Sequence, residues 1–220
     1  MADAPANRSP IVVKVGGGLL RRDGLDGLRR GCADAAGLAR SRPVLIVPGG
    51  GAFADVVRGV DRQVGLSETL AHRLALSAMD QLGRLLAELL PAAAEPQTQL
   101  MPPAGLRLLL AAPAFADRPE IPESWDVTSD SLAVYAAAAI GALVAVLLKP
   151  VAGLFEPWPR ANPTDRPIPK LTAAALGELQ GRGDGRAVDR HLPHAIDRTG
   201  VVVVVRQPCG PDEGTVITPR

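Results

Sequence analysis

Among the 24 basic residues of this chain only Lys14, Lys149 and Lys170 are lysines, and every other is arginine. A sequence so committed to arginine keeps an ammonium where a compact point charge is needed and a planar guanidinium does not serve, as beside a phosphoryl oxygen. Lys14 stands in IVVKVGGGLL, Ile11 to Leu20, where β-favouring residues surround one lysine and run into three glycines. That pattern predicts a buried strand breaking into a tight turn before a helix. A lysine in so apolar a strand is costly unless it meets an anion at the strand's end. Gly16, Gly17 and Gly18 lack a Cβ, so their N–H groups can approach phosphate oxygens. Neither GxxxxGK[ST] nor GxGxxG is present, which excludes the P-loop and Rossmann fingerprints.

A glycine-softened turn with a snorkelling lysine accounts for one such stretch, but the pattern recurs. PVLIVPGGG, Pro43 to Gly51, is a second aliphatic strand ending in a triplet, Gly49 to Gly51, and AFADVVRGV after it reads as a helix. A third constellation lies in WDVTSDSLAVYAAAAIG, where Asp126, Thr128, Ser129 and Asp130 crowd one helix start. Any of them can cap the free N–H groups there, yet four exceed what capping requires, leaving a carboxylate for other work.

The elements that must position these residues follow from the hydrophobic pattern. Asp23 to Arg40 reads as a polar helix, Val44 to Val47 as a strand, and Ala52 to Asp61 as the next helix. Ser67 and Glu68 open a long helix reaching Pro91. A short strand is expected at Thr98 to Met101, then an apolar segment, Leu106 to Ala111. Leu143 to Leu148 is a buried strand ending in Lys149. Residues 156 to 169 form a proline-laden loop, a candidate lid. Thr172 caps a short helix, another runs from about Asp189 to Asp197, Val201 to Val205 is a central strand by its β-branched run, and GTVIT is a last short strand. Strands alternating with helices predict a mostly parallel sheet covered on both faces. Ligands of such sheets bind beyond the strands' carboxyl ends, where Lys14, Lys149 and both triplets fall.

Composition narrows the class. With 220 residues and 47% hydrophobic content the chain can build a sizeable core, and its net charge of +1 carries no electrostatic footprint for nucleic acid. Cys32 and Cys209 form no CxxC pair and fit a reduced, cytoplasmic setting with inert roles. The longest apolar run, Leu132 to Leu148, is alanine-rich and reads as a buried helix running into a buried strand, not a membrane span. Residues 1 to 10 read as a flexible arm. His72 reads as a packed or surface histidine, and His191 and His194 lack a third ligand at a useful spacing, so no metal site is expected. Trp125 can stack on a planar ring or simply anchor its loop. Arg58 can reach an acceptor phosphate or belong to an exposed helix face.

The order VVKVGGG, VLIVPGGGAFADVVR, TSDSLA, a strand before a V-x-G-L-F turn, and a terminal GTVI resembles the amino acid kinase superfamily, with the uridylate kinase-like members nearest. AHRLALSAMDQLG and IPESWDVTSDSLAVYAA look closest to the branch that includes the aminomethylfuran phosphate kinase of methanofuran biosynthesis. The resemblance covers about Val12 to Ile217. It implies one domain over 11–220, an α/β three-layer αβα sandwich of carbamate kinase type, acting as an ATP-dependent phosphotransferase with Mg2+ carried on the nucleotide and assembling as a homo-oligomer. It also implies that Lys14 contacts the transferring phosphoryl group, that Gly16 to Gly18 line its path, and that Gly49 to Gly51 cradle the acceptor. Asp130 then orients the catalytic lysine with Ser129 beside it, Lys149 borders the nucleotide phosphates, and Lys170 adds a further phosphate contact.

Phosphoryl transfer asks a protein mainly to align two anions and neutralise charge. No base is required when the acceptor is already an ionised phosphate, and none is evident. That fits a small phosphomonoester acceptor, and the resemblance implies that this is [5-(aminomethyl)furan-3-yl]methyl phosphate, converted to its diphosphate in methylofuran biosynthesis. A uridylate- or carboxylate-type kinase, a nucleotide-binding storage or regulatory protein, and a structural oligomer subunit are the alternatives. The chain also departs from the superfamily: the usual T-D-V-D-G or T-K-V-D-G turn reads Lys149-Pro150-Val151-Ala152-Gly153, and the G-x-x-T-K segment of acylphosphate-forming relatives is missing.

Overall fold

The computed structural model describes residues 9–90, 94–157, 159, 162, 164–210 and 214–220. The expected arm at 1–10 lies almost wholly outside these residues, and the 156–169 loop lies partly outside them. Fifteen elements run β1 (Ile11–Val15), α1 (Gly17–Ala39), β2 (Val44–Pro48), α2 (Gly51–Val64), α3 (Glu68–Leu89), β3 (Glu95–Gln97), β4 (Leu106–Leu109), α4 (Ala111–Phe115), α5 (Ser129–Ala139), β5 (Val144–Leu148), β6 (Lys170–Thr172), α6 (Ala173–Gly181), α7 (Leu192–Thr199), β7 (Val202–Arg206) and β8 (Thr215–Thr218). The eight strands form one sheet in the order β3-β4-β2-β1-β5-β7-β8-β6. All pairings are parallel except β7 with β8. Helices cover both faces, which is the expected three-layer sandwich.

The strand period of two decides where Lys14 goes. Ile11, Val13 and Val15 face one hydrophobic core with Leu19, Leu28 and Cys32 of α1, whereas Val12 faces the other with Leu132 and Ala133 of α5. Lys14 follows Val12 on the α5 face. Its neighbours are Val47 of β2 and Leu147 of β5, both buried, so its ammonium cannot turn aside and reaches the rim where those strands end.

Several boundaries differ from expectation for local reasons. The first helix begins at Gly17, not Asp23, and is interrupted at Gly24, whose φ of 61° and ψ of −150° are not helical. The short strand lies at Glu95–Gln97, ahead of Thr98 to Met101, because that register pairs Glu95 with Arg107 and Gln97 with Leu109. The last helix starts at Leu192, three residues late, with Pro193 in its first turn. Lys170 to Thr172 is a strand as well as a lead-in to the Thr172 cap, which accepts from Ala175 N at 3.2 Å. Ser67 caps α3 as expected, accepting from Leu70 N at 3.3 Å. Among the described residues no helix is long and apolar enough to cross a membrane.

Candidate active site

Three charged side chains from three elements meet at the rim. Asp130, in the first turn of α5, sits between Lys14 Nζ at 2.9 Å and Lys149 Nζ at 2.6 Å. Lys149 donates a hydrogen bond to Oδ2, but the contact of Lys14 with Oδ1 is charge to charge, without hydrogen-bond alignment. An ammonium carries three N–H donors, and its contact with Asp130 occupies at most one of them. Burial lowers the Lys14 ammonium to about 8, with Asp130 opposing the shift and Lys149 adding to it. Burial alone would raise the Asp130 carboxyl, yet the two ammonium groups hold it well below the usual carboxylate range.

Asp130 is free for this because another carboxylate does the capping. Thr128, the N-cap of α5, makes no cap bond with its own side chain. Asp189 Oδ2 instead accepts from the N–H groups of Thr128 and Ser131, both at 2.9 Å, while its Oδ1 accepts from the Ser131 hydroxyl at 2.5 Å. The Asp189 N–H donates to Asp130 Oδ2 at 3.2 Å. Burial, and then the nearby Asp130 charge, raise the Asp189 carboxyl to about 6 against the pull of these bonds. The sequence reading missed Asp189; a lone aspartate in a turn-rich segment carries no local signal of a helix it caps some sixty positions earlier.

The two glycine bends are in backbone contact. A Cβ on Gly17 would overlap the Cα and N of Gly51, one on Gly49 would lie 2.7 Å from Gly17 N, and one on Gly16 would lie 2.7 Å from Lys14 Nζ. Glycine is therefore required by close approach to backbone at Gly17 and Gly49 and by a φ of 55° at Gly51, while a Cβ at Gly16 would displace the Lys14 ammonium.

A cavity of about 270 Å³ opens over this junction. Lys14, Gly17, Gly18, Gly50, Gly51, Arg58, Trp125, Ser129, Asp130 and Lys149 all line it, so most of the expected site residues come together. Lys170 does not: it begins the exposed edge strand β6, three strands from β5, and the expected meeting of three lysines is a meeting of two. The sequence reading also missed Arg21 and His72 in the lining. Asp55 pins Arg21 at 2.6 Å and Arg58 at 3.1 Å, and Arg58 lies over the Trp125 ring at 4.8 Å. Trp125 both lines the cavity and anchors its loop, since its Nε1 donates to Asp61 at 2.7 Å. Among the described residues no group of three His, Cys, Asp or Glu side chains could hold a metal ion.

A parallel sheet whose rim gathers two ammonium groups, a carboxylate between them and two interlocked glycine bends has the charge and backbone geometry that suit phosphorylated ligands. Residues 9–206 match the amino acid kinase family; the chain belongs to it, and so by class to the kinases. It is 28% identical over 123 residues to a [5-(aminomethyl)furan-3-yl]methyl phosphate kinase of Methanocaldococcus jannaschii, a match spanning 54% of this chain and 57% of that one. It is 26% identical over 210 residues to a uridylate kinase of Methanothrix thermoacetophila, spanning 89% and 88%. Among solved structures, uridylate kinase from Archaeoglobus fulgidus superposes with a TM-score of 0.70 at 21% identity, covering 94% of this chain and 99% of that one. Aspartate kinase from Synechocystis gives 0.73 at 17% identity, covering 96% and 40%. These superpositions bear out the fold.

Proposed function

We propose that the protein is an ATP-dependent kinase whose acceptor is a small phosphomonoester, [5-(aminomethyl)furan-3-yl]methyl phosphate, converted to its diphosphate. The observation that carries this is the Lys14–Asp130–Lys149 cluster opening, beside both glycine bends, into one cavity. Lys14, with N–H donors beyond the one facing Asp130, meets the oxygens of the transferring group. Asp130 holds the two ammonium groups together and keeps them from repelling one another out of place. Lys149 steadies the donor phosphates, and Gly16 to Gly18 and Ser129 border the path. Gly49 to Gly51, Arg58 and Trp125 receive the acceptor, the arginine offering its guanidinium to the acceptor phosphate. Such fixed donors act on charge that grows during transfer without having to reorganise. Mg2+, if carried on the nucleotide phosphates, would supply further neutralisation there.

The test is ADP release, followed by coupled assay, with this acceptor and with UMP. Turnover of UMP or a carboxylate but not of the aminomethylfuran phosphate would reject the proposal. The longer alignment with a uridylate kinase makes UMP the second reading to try. The homo-oligomer implied by the family is supported by the exposed row Val56, Val60 and Val64 along α2; light scattering that returns a single-chain mass would remove it.

A pH prediction follows from Lys14. It must be protonated to meet a phosphoryl oxygen, and in the free protein it releases its proton near pH 8. The value of kcat/KM should therefore fall about tenfold per pH unit above that point. A profile level to pH 9.5 would contradict the role given to Lys14.

A further inference from the structure

We propose that Asp189 is a positioning residue of this site: its ionised carboxylate fixes where Asp130 stands between Lys14 and Lys149, and the geometry of that cluster follows the charge Asp189 carries. Its bearing on turnover rests on the kinase reading of the cluster. Asp189 holds Asp130 by two routes. Its side chain grips the residues that bracket Asp130, since Oδ2 accepts from the Thr128 N–H, the Thr128 hydroxyl and the Ser131 N–H, each at 2.9 Å, and Oδ1 accepts from the Ser131 hydroxyl at 2.5 Å. Its own N–H donates at 3.2 Å to Asp130 Oδ2, the oxygen that also receives Lys149 at 2.6 Å. Segment and carboxylate are thereby closed into one ring. The loop that presents Asp189 is itself fastened, for the Gln180 side chain donates to Asp189 O at 2.9 Å, His191 N donates to Asp126 O at 3.2 Å, and the Tyr135 hydroxyl of α5 bonds His191 Nε2 at 2.8 Å.

The clasp needs a charge. Every one of these side-chain bonds is donated to Asp189, and two come from peptide N–H groups, which have no lone pair to offer in return. A proton on Oδ2 would face donors, and one on Oδ1 would force the Ser131 hydroxyl to turn its hydrogen away. Protonation therefore breaks bonds at the start of α5 and removes a negative charge from a helix N-terminus. Burial, and then the Asp130 charge, raise this carboxyl to about 6, so the clasp opens just below neutral pH. Asp130 of α5 faces Asp189, with Lys14 of β1 and Lys149 of β5 behind it. On the other side Tyr135 of α5 feels the Asp189 charge together with Arg198 and Glu120, and its partner His191 feels His194, Asp126 and Arg198. The α6 helix offers the neutral Gln180, and Arg186 and Arg190 of the loop itself are exposed.

The test is the pH profile of kcat, with the aminomethylfuran phosphate or UMP as acceptor, whichever is turned over, read beside carboxyl titrations of the full chain by NMR. The value of kcat should fall below about pH 6, but a phosphomonoester acceptor also titrates near there, so the deciding quantity is how far a variant moves that limb. Ser131→Ala removes one donor to Asp189 and leaves the acceptor unchanged. It should raise both the limb and the Asp189 titration by about one pH unit, a tenfold change in the ratio of the two forms, with kcat near neutral pH kept within about threefold. Thr128→Val removes the other hydroxyl, should act alike, and serves if Ser131→Ala fails to fold. Asp189→Asn should lower kcat about 30-fold with KM within about twofold, as expected for a displacement of Asp130 by about 1 Å. A limb at one pH in the native protein and both hydroxyl variants, an Asp189 carboxyl titrating at the ordinary 3.8, or full activity in Asp189→Asn would each overturn the inference. The titrations need no substrate. If the Asp130 signal follows the Asp189 titration and moves with it in Ser131→Ala, the positioning stands even without turnover, and the kinase proposal alone fails.

Discussion

Asp130→Asn should lower kcat by about three orders of magnitude and destabilise the fold, whereas Lys14→Met should lose activity to a similar degree without destabilising it. The first change leaves two buried ammonium groups facing each other with no counter-charge, and removing one partner of a buried pair costs about 3–5 kcal/mol. The second removes a cation whose burial already outweighs its attraction to Asp130, as its lowered pKa shows, while Asp130 keeps Lys149 at 2.6 Å. The activity estimate is that for losing one charged group aimed at a transferring phosphoryl, about 10³-fold or more. A pH series separates function from packing. Folded Lys14 releases its proton near pH 8 and an unfolded lysine near 10.5, so between those values the unfolded chain binds more protons and stability rises with pH. Melting curves at pH 8 and pH 10 should show that rise in the native protein and lose it in Lys14→Met. Lys14→Met with kcat within tenfold of native would sink the assignment.

Gly17→Ala should be the most damaging methyl group that can be added to this chain. Its Cβ would overlap backbone atoms of Gly51, which cannot swing away as a side chain would. Overpacking of this kind costs about 3 kcal/mol, roughly 6–12 °C in Tm. Activity should fall more than about 100-fold, because the bends must part and take Lys14 and the second glycine triplet with them. Gly37→Ala, elsewhere on α1, is the control: its Cβ would meet only the Arg40 guanidinium at 3.7 Å, so its Tm should stay level or rise slightly. Equal behaviour of the two variants would mean that the contact between the bends has no bearing on the site.

Much of this site could be read in advance, because its signals are local. Lys14 announces itself by interrupting an apolar strand, and the glycine triplets by ending strands; period-two alternation then puts the lysine on the α5 face. Asp130 was legible only as a surplus acid at a crowded helix start, and what released it, Asp189, was hidden because long-range capping leaves no trace in neighbouring residues. Lys170 misled for the opposite reason. Its position at an element boundary is real, but the reversal of β8 against β7 carries β6 to the far edge of the sheet, and nothing in the spacing of the lysines encodes a strand's place in the order. His72 reads from the sequence as a packed or surface residue, and it is buried; that it lines a cavity is a matter of how α3 lies against the Trp125 loop.

The clasp of Asp189 on the α5 start also sets an order of assembly. On a ribosome, Lys14, both glycine bends, Asp130 and Lys149 all emerge well before the residue that closes the helix end they depend on, 58 positions after Ser131. A nascent chain halted at about residue 160 would hold every charged group of the cluster and none of the order, so competence arrives with the final quarter of synthesis.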